Sequence, residues 1–313
     1  MDQIAVQRRP LKIGLQLPEI EWVARWSDLL AMAQRAEEVG FDSLWVGDHL
    51  LYRDPGEEPK APWEAWSLLA ALAAVTSRVE LGPLVAATSF HNPAMLAKKA
   101  ETIDEISGGR LILGLGAGWN EVEYRAFGFP YDHRAARFEE AFTIIRTLLR
   151  DGAIDFDGTY YQARECELLP RGPRRDRGGP PLMIGSQGER MLRIAAPHVQ
   201  SWNAWYAWYG NRPEDLGPLR DKVDTACRDV GRDPTTLERT VAALVGLTGA
   251  IGRPTGDREG RHIAPITGTP HELAEPLRAF ARAGVAHVQL VLDPNTLAAI
   301  EEFAPVLEIL DRG

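Results

Sequence analysis

The sequence has few cysteines and no long apolar run, and both shortages limit what the protein can be. Its 313 residues include only Cys166 and Cys227, with no CxxC pair and no histidine cluster at metal-ligand spacing. We therefore expect no disulfide framework and no metal site. The low cysteine content also predicts a reducing compartment. No apolar segment reaches the roughly 18 residues that span a membrane, and the first residues lack the apolar core of a signal peptide. These absences predict a cytoplasmic protein without a membrane partner.

Positive charge is also scarce, because the formal net charge is −9. A general nucleic-acid binder should be basic, so we expect no nucleic-acid partner. The sequence contains no Walker loop, no HExxH and no Ser-His-Asp order, which leaves covalent hydrolase chemistry without a candidate nucleophile. What is present is an ordinary globular composition, with 45% hydrophobic residues that can form a sizeable core.

Short Val/Ile/Leu-rich runs alternate with amphipathic stretches along the whole chain. The predicted strands are 12–17, 43–47, 79–86, 110–118, 181–186, 200–205, 240–248 and 286–292. The predicted helices are 27–39, 63–76, 93–106, 134–150, 189–196, 213–230, one from Pro270 and 295–310. Eight strand–helix units predict an α/β fold, a (β/α)8 TIM barrel formed by residues 1–313 as a single domain. A doubly wound open sheet is the structural alternative.

Two connections are longer than such a barrel needs. Residues 151–180 follow the fourth helix and include RGPRRDRGG, and residues 249–267 follow the seventh strand and are rich in Gly, Pro and Arg. Insertions of this length are often functional, so we expect lids or binding loops.

The ends of the second and fourth predicted strands carry candidate site residues. Active sites of these barrels lie at the carboxyl ends of the strands. Asp48 and His49 follow the second strand, where an imidazole can exchange a proton near neutral pH. A capping Asp beside a solvent-facing His is the structural alternative. The fourth strand ends in GLGAGWNEVE, whose glycines allow close backbone approach to a planar ligand, although a tight turn would look the same.

The ends of the fifth and sixth predicted strands carry a glycine loop and an aromatic group. Gly185-Ser186-Gln187-Gly188 runs directly into a helix, whose first N–H groups can bind phosphate. Ser as a helix N-cap in an ordinary turn is the other interpretation. Trp202 is followed closely by four more aromatic residues, and this density favours the wall of a ligand site. The four are Trp205, Tyr206, Trp208 and Tyr209.

Four segments together resemble the luciferase-like monooxygenase superfamily, in particular its branch that depends on the deazaflavin coenzyme F420. They are AEEVGFDSLWVGDHL, RVELGPLVAATSFHNPAMLAKKAETIDEISGGRLILGLGAGWNEVEYRAFGFP, PPLMIGSQGERMLRIAA and GTPHELAEPLRAFARAGVAHVQL. The similarity covers about residues 11–310 in order. The Asp-His ending of the second strand is typical of the F420 branch, whereas flavin luciferases often carry Glu-His-His.

The resemblance implies a set of site residues and a homodimer. Asp48 and His49 should lie beside the cofactor ring, with His49 and Glu121 as catalytic candidates. A non-proline cis peptide should fall near Pro83–Ala86 and support the ring. The remaining cofactor contacts should come from Leu84, Val85, Gly116, Ala117, Gly118, Trp119, Gly185, Ser186, Gln187, Gly188 and Trp202.

By this resemblance, the protein should transfer a hydride between F420 and a small organic substrate. An FMN-dependent monooxygenase on the same barrel and a flavin-binding protein without turnover are the two alternatives. F420 carries an acidic oligoglutamate tail, and Arg171, Arg174, Arg175 and Arg177 could bind it. A solvated loop without a ligand is an interpretation of these arginines that is supported at least as well.

Overall fold

The computed structural model describes residues 9–252 and 263–313, and these residues form a ring of parallel strands surrounded by helices. The strands are β1 (Lys12–Gln16), β2 (Ser43–Val46), β3 (Glu80–Pro83), β4 (Ala86–Ala87), β5 (Leu113–Gly116), β6 (Ala153–Asp157), β7 (Gln162–Glu167), β8 (Leu182–Gly185), β9 (Ser201–Ala204), β10 (Glu238–Gly246) and β11 (Val285–Asp293). The helices are α1 (Trp26–Val39), α2 (Ala65–Val75), α3 (Pro93–Ser107), α4 (Glu121–Phe127), α5 (Arg134–Asp151), α6 (Glu189–Ala195), α7 (Gly217–Asp229), α8 (Pro270–Arg282) and α9 (Leu297–Arg312).

The strand order confirms the predicted barrel and excludes the open sheet. Parallel neighbours follow in the order β3-β2-β1-β11-β10-β9-β8-β5-β4. The two end members, β3 and β4, are halves of one barrel strand, separated by a cis peptide between Leu84 and Val85. The ring closes between this broken strand and the segment before β5, where the Ile112 N–H donates to the Leu81 carbonyl over 2.7 Å. The cis peptide lies where the family resemblance predicts it.

The lower half of the barrel interior is filled by packed side chains around Trp45. Gly14 leaves room for Trp45, whose indole N–H donates to Ser43 Oγ over 2.7 Å. The Ser43 hydroxyl can then donate to His287 Nε2, 2.8 Å away. Burial lowers the pKa of His287 to about 3, so this ring is neutral and can accept the bond. Inside the ring of strands, the packed floor directs the cavity lined by His49 and Gly185 toward the carboxyl ends of the strands.

The first insertion, 151–180, contains structure that the sequence did not predict, and it does not cover the cavity at the carboxyl ends of the strands. Strands β6 and β7 form an antiparallel hairpin beside α5, which is followed by a short 3₁₀ turn at Arg175–Arg177. The segment then returns to the amino end of the barrel, where Arg174 binds the Leu111 carbonyl just before β5. None of residues 151–180 lines the cavity at the carboxyl ends of the strands.

The arginines of this segment lie toward the amino end of the barrel and outside the lining of that cavity, which favours the alternative of a loop without contact to the cofactor. Arg171 pairs with Glu101 and Arg174 with Asp104, both on α3.

The second insertion, 249–267, lies partly outside the described residues. In the part of the chain that the structure describes, no helix is both long and apolar enough to cross a membrane.

Candidate functional site

A cavity of about 550 Å³ opens at the carboxyl ends of the barrel strands. Its size falls in the range of roughly 300–1,000 Å³ that is typical of small-molecule sites. All of the predicted site residues except Glu121 and Trp202 line it. The lining consists of Gln16, Glu19, Ile20, Asp48, His49, Tyr52, Leu84, Val85, Ala87, Phe90, Gly116, Ala117, Gly118, Trp119, Glu123, Arg134, Gly185, Ser186, Gln187, Gly188, Met191, Asn203, Trp205, Ala207 and Trp208.

His49 lies in this cavity between two buried carboxylates. Its Nδ1 is 3.1 Å from both oxygens of Glu123, and its Nε2 is 4.0 Å from Glu19 Oε1. Glu123 also accepts hydrogen bonds from the Leu50 and Leu51 N–H groups, so its position is fixed by the loop that follows His49. The ring of Trp119 meets the imidazole edge-on, with 5.6 Å between centroids.

This environment favours the charged form of the imidazole. Burial lowers the pKa of His49, but the negative charge of Glu19 and the hydrogen bond and charge of Glu123 outweigh it, so the net pKa is raised. Protonated His49 therefore persists to higher pH than a free imidazole does. Because Nδ1 faces Glu123, the ring can donate there and leave Nε2 as the atom that exchanges a proton.

Asp48 belongs to a different network and does not orient His49. Its Oδ2 accepts from the Ala87 N–H over 2.9 Å and lies 2.9 Å from His91 Nε2. Adjacent residues of an extended chain point to opposite sides, which separates Asp48 from the imidazole next to it. Asp48 thus ties the end of β2 to the β4 half of the broken strand, beside the cis peptide.

The cis peptide presents Val85 to the two neighbouring strands, and their glycines make room for it. A Cβ on Gly116 would stand 2.9 Å from Val85 Cγ2, and one on Gly185 would stand 2.9 Å from the same atom. Glycine at both positions lets the backbones of β5 and β8 close onto this side chain. Leu84, Val85, Gly116 and Gly185 together form a mainly apolar shelf in the cavity, which we call the Val85 shelf.

Two groups at the mouth hold the strand end after β5. Gly118 has φ +71°, and a side chain there would collide with Tyr124, whose hydroxyl donates to the Ala117 carbonyl over 2.8 Å. Arg134 donates to the Gly118 carbonyl over 2.7 Å. This anchoring places Trp119 at the rim, where it remains about one-third exposed, at 37%.

The Gly185–Gly188 turn leads into α6 as the sequence predicts. Gly188 is the N-cap of this helix, and its N–H donates to Ser186 Oγ over 3.2 Å. Trp202 lies behind the turn, not in the cavity, and its indole N–H donates to the Ser186 carbonyl over 2.6 Å. The prediction that Trp202 forms a wall of the cofactor site is therefore corrected, because it lies outside the lining and instead fixes the turn. Trp205 and Trp208 supply the aromatic wall on this side.

Glu121 is exposed at the start of α4 and does not reach the cavity, whereas Glu123 is buried and does. The sequence pattern gave no sign of α4, and its helical turn is what separates the two carboxylates. Glu19 is the second acid that the sequence did not single out. Glu19 follows the first strand, and its position at a carboxyl end could have marked it as a candidate site residue.

Buried amides lie at the bottom of the cavity. Asn203 Nδ2 donates to Gln289 Oε1 over 2.7 Å and to Thr240 Oγ1 over 2.9 Å. Among the described residues, Gln289 Nε2 and Gln16 Oε1 are buried without a hydrogen-bond partner. Buried polar atoms without a partner are costly, so a ligand or ordered water is expected to satisfy them.

Comparisons with known proteins place this chain in one family. The family model described as luciferase-like monooxygenase matches residues 10–248. The 5,10-methylenetetrahydromethanopterin reductase of Archaeoglobus fulgidus is 28% identical over 89% of this chain and 92% of its own. The phthiodiolone/phenolphthiodiolone dimycocerosates ketoreductase of Mycobacterium tuberculosis is 32% identical over 80% of this chain and 68% of its own. The F420-dependent glucose-6-phosphate dehydrogenase of Amycolatopsis mediterranei is 38% identical over 51% and 48%.

Solved structures share the fold. An F420-dependent secondary alcohol dehydrogenase in complex with an F420-acetone adduct has a TM-score of 0.78 at 21% identity, over 96% of this chain and 99% of that one. A riboflavin lyase with modified FMN and riboflavin has a TM-score of 0.77 at 17% identity, over 96% and 91%. At such identities these likenesses show the barrel and not the chemistry.

Proposed function

Because the chain belongs to the luciferase-like monooxygenase family, we propose that it is an oxidoreductase that transfers a hydride between coenzyme F420 and a small organic substrate. The single observation that carries this proposal is the position of His49 beside the Val85 shelf in one cavity. It is supported by the F420-dependent relative, which matches about half of the chain, and by the Asp48-His49 ending of β2.

The residues of the cavity fit a cofactor of this kind. Gly116 and Gly185 lack side chains beside Val85, so the Val85 shelf leaves room for a planar ring system to approach the backbone. The N–H groups at the start of α6, after the Gly185–Gly188 turn, are the donors that would hold a phosphate. Gln16 Oε1, which lines the cavity, offers an acceptor without a partner, and Gln289 Nε2 offers a donor next to Asn203.

When bound, the deazaflavin supplies the hydride acceptor or donor, and the protein has to position the substrate and move a proton. We assign the proton to His49 Nε2, since Nδ1 is engaged by Glu123. Glu19 and Glu123 keep the imidazolium accessible near neutral pH because their charges raise the pKa of His49. Trp119, Trp205 and Trp208 line the same cavity and would shield the reacting groups from water.

The test is a turnover screen with the purified protein, F420 and FMN in parallel, with and without oxygen. Reduction of F420 by secondary alcohols, or oxidation of its reduced form by ketones and enones, supports the proposal. Oxygen-dependent product with reduced FMN and none with F420 would replace it with the monooxygenase. Tight binding of either cofactor without turnover over a broad substrate panel would favour a carrier or sensor.

The quaternary state and location are part of the same proposal. We propose that residues 1–313 act as one domain, that two copies form a homodimer and that the protein works in the cytoplasm. The family resemblance supports the dimer, and the two cysteines, both free among the described residues, fit a reducing compartment. Light scattering of the purified protein after size exclusion tests the dimer, since a monomer mass would contradict it.

A further inference from the structure

A second cavity, of about 390 Å³, lies at the opposite end of the barrel. Leu182 at the start of β8 and Gln200 just before β9 line it, so it opens at the amino ends of the strands. We call it the lower cavity. Its charged side chains are all basic, with no acidic residue in the lining: Arg146, Arg150, Arg174 and Arg177, joined by His198.

Two of the four arginines are neutralised and two are not. Arg150 pairs with Asp151 over 2.6 Å, and Arg174 with Asp104 over 2.5 Å. Arg146 and Arg177 have no carboxylate within ion-pair distance among residues 9–252 and 263–313. The lower cavity thus concentrates uncompensated positive charge on a protein whose net charge is −9.

Arg146 shows the cost of this arrangement most directly. Its Nε is buried and has no hydrogen-bond partner among the described residues. Burial and the nearby charge of Arg150 lower the pKa of Arg146. Burial, Arg146, Arg150 and Arg232 likewise lower the pKa of His198. An unpaired buried guanidinium N–H is unfavourable unless a ligand satisfies it.

The remaining polar group of the lower cavity is also a donor. Gln200 Oε1 accepts from the Leu182 N–H over 2.7 Å, which identifies the other end of the amide as the NH₂ group. Arg174 is held rigidly, because it binds both Asp104 and the Leu111 carbonyl. Donors from several elements therefore converge on one cavity, which is the arrangement that binds a multiply charged oxyanion.

We propose that the lower cavity is a binding site for a phosphate group, either inorganic phosphate or a phosphate ester. Arg146 and Arg177 supply the charge, and the Gln200 NH₂ group and the remaining Nη1 group of Arg174 supply N–H donors. The site is separate from the cavity at the carboxyl ends of the strands. It therefore neither requires nor follows from the proposed oxidoreductase activity. A phosphate bound there would satisfy Arg146 Nε and remove the repulsion among the basic groups.

The test is a titration of the intact protein with inorganic phosphate at constant ionic strength, followed by NMR of the His198 ring. Saturable binding should raise the pKa of His198, which reports the lower cavity alone. Arg146→Gln and Arg177→Gln should each weaken binding at least tenfold. Arg177 is exposed, so its variant remains informative even if Arg146→Gln does not fold.

Two controls separate this site from general charge effects and from the upper cavity. Arg193→Gln removes an exposed charge on α6 outside the lower cavity and should change affinity less than twofold. Gly188→Glu alters the cavity at the carboxyl ends of the strands, and the effect of phosphate on the pKa of His198 should stay as in the wild type. A phosphate ester that competes with inorganic phosphate would identify the source as a metabolite. If phosphate does not move the His198 titration, or if the Arg146 and Arg177 variants bind as Arg193→Gln does, the proposal is wrong.

Discussion

His49 is the residue whose surroundings say most about chemistry. A side chain that exchanges a proton in the transition state contributes about 10²–10⁴-fold to the rate. We therefore expect His49→Gln to lower kcat by that factor. Cofactor affinity should change little, because the imidazole contacts Trp119 at the rim and not the Gly185–Gly188 turn, where we place the phosphate. Stopped-flow turnover with the best substrate of the screen, together with cofactor titration, measures both. Turnover equal to wild type at several pH values would make His49 a structural residue.

Glu123 should act through His49, and Glu121 provides a matched control two residues away. Glu123→Gln removes a negative charge 3.1 Å from Nδ1 but keeps an acceptor for the Leu50 and Leu51 N–H groups. The raised pKa of His49 should fall, because one of the groups that stabilises the imidazolium is lost. The pH limb of kcat/KM that belongs to His49 should move to lower pH, whether the ring acts as acid or base.

Glu121→Gln should leave that pH profile in place, because Glu121 is exposed and outside the cavity lining. If the Glu121 variant shifts the limb and the Glu123 variant does not, the assignment from sequence is right and the assignment from geometry fails. A loss of turnover in Glu123→Gln without any movement of the limb would mean that Glu123 only holds the loop after His49.

At the scale of elements, the broken third strand constrains its neighbours. Gly116→Ala places a methyl group 2.9 Å from Val85 Cγ2, and overpacking of this kind costs about 1–3 kcal/mol. Val85→Ala removes the colliding methyl groups, so Gly116→Ala should cost much less in that background. Urea unfolding of the two single variants and the double variant measures the coupling. Additive effects would show that Val85 does not determine the glycine at this position.

A glycine elsewhere serves as the reference for that cycle. An added Cβ on Gly217, at the start of α7, meets no heavy atom within 4 Å. Gly217→Ala should therefore be neutral or slightly stabilising, as expected for a position whose backbone alanine can adopt. A destabilisation equal to that of Gly116→Ala would point to a general cost of losing glycine instead of a collision.

The turn before α6 gives a second prediction at this scale. An added Cβ on Gly188 meets only Ser186 Oγ at 3.8 Å and Met191 Cγ at 3.9 Å, so the fold tolerates a side chain there. Gly188→Ala should bind the cofactor nearly as wild type does. Gly188→Glu adds a negative charge where we place the phosphate and should weaken binding strongly. Equal affinity of the two variants, by fluorescence titration, would move the phosphate to another part of the mouth.

Elements whose signal is local could be predicted from the sequence, and elements that depend on tertiary contacts could not. The eight barrel strands follow from apolar runs, and the cis peptide beside Val85 followed from the family resemblance. The helix α4 was missed because its seven residues are too short for a periodic signal. Trp202 was misplaced because alternation along a strand decides which side chain faces inward, and Asn203 takes that position in β9.

At the scale of the whole molecule, chain direction separates the two cavities. A connection from strand to helix lies at the carboxyl end of a parallel barrel, and a connection from helix to strand lies at the amino end. The arginine-rich segment leads from α5 into β8, so it belongs to the amino end whatever its sequence. Composition suggested an acidic ligand for these arginines, but only the direction of the chain shows which end of the barrel would receive it.

The choice between F420 and FMN is a property of the whole cavity and has a sharp test. We expect F420 to bind at least tenfold more tightly than FMN, a difference of about 1.4 kcal/mol. Ligand at a hundred times its Kd stabilises the fold by about 2.7 kcal/mol, so thermal unfolding at matched concentrations should rank the two cofactors independently of turnover. Fluorescence titration of the cavity tryptophans gives the affinities directly. The expectation rests on the Asp48-His49 ending and on the F420-dependent relative. Equal affinities, or tighter FMN binding, would turn the proposal toward an oxygen-using flavin enzyme on the same barrel.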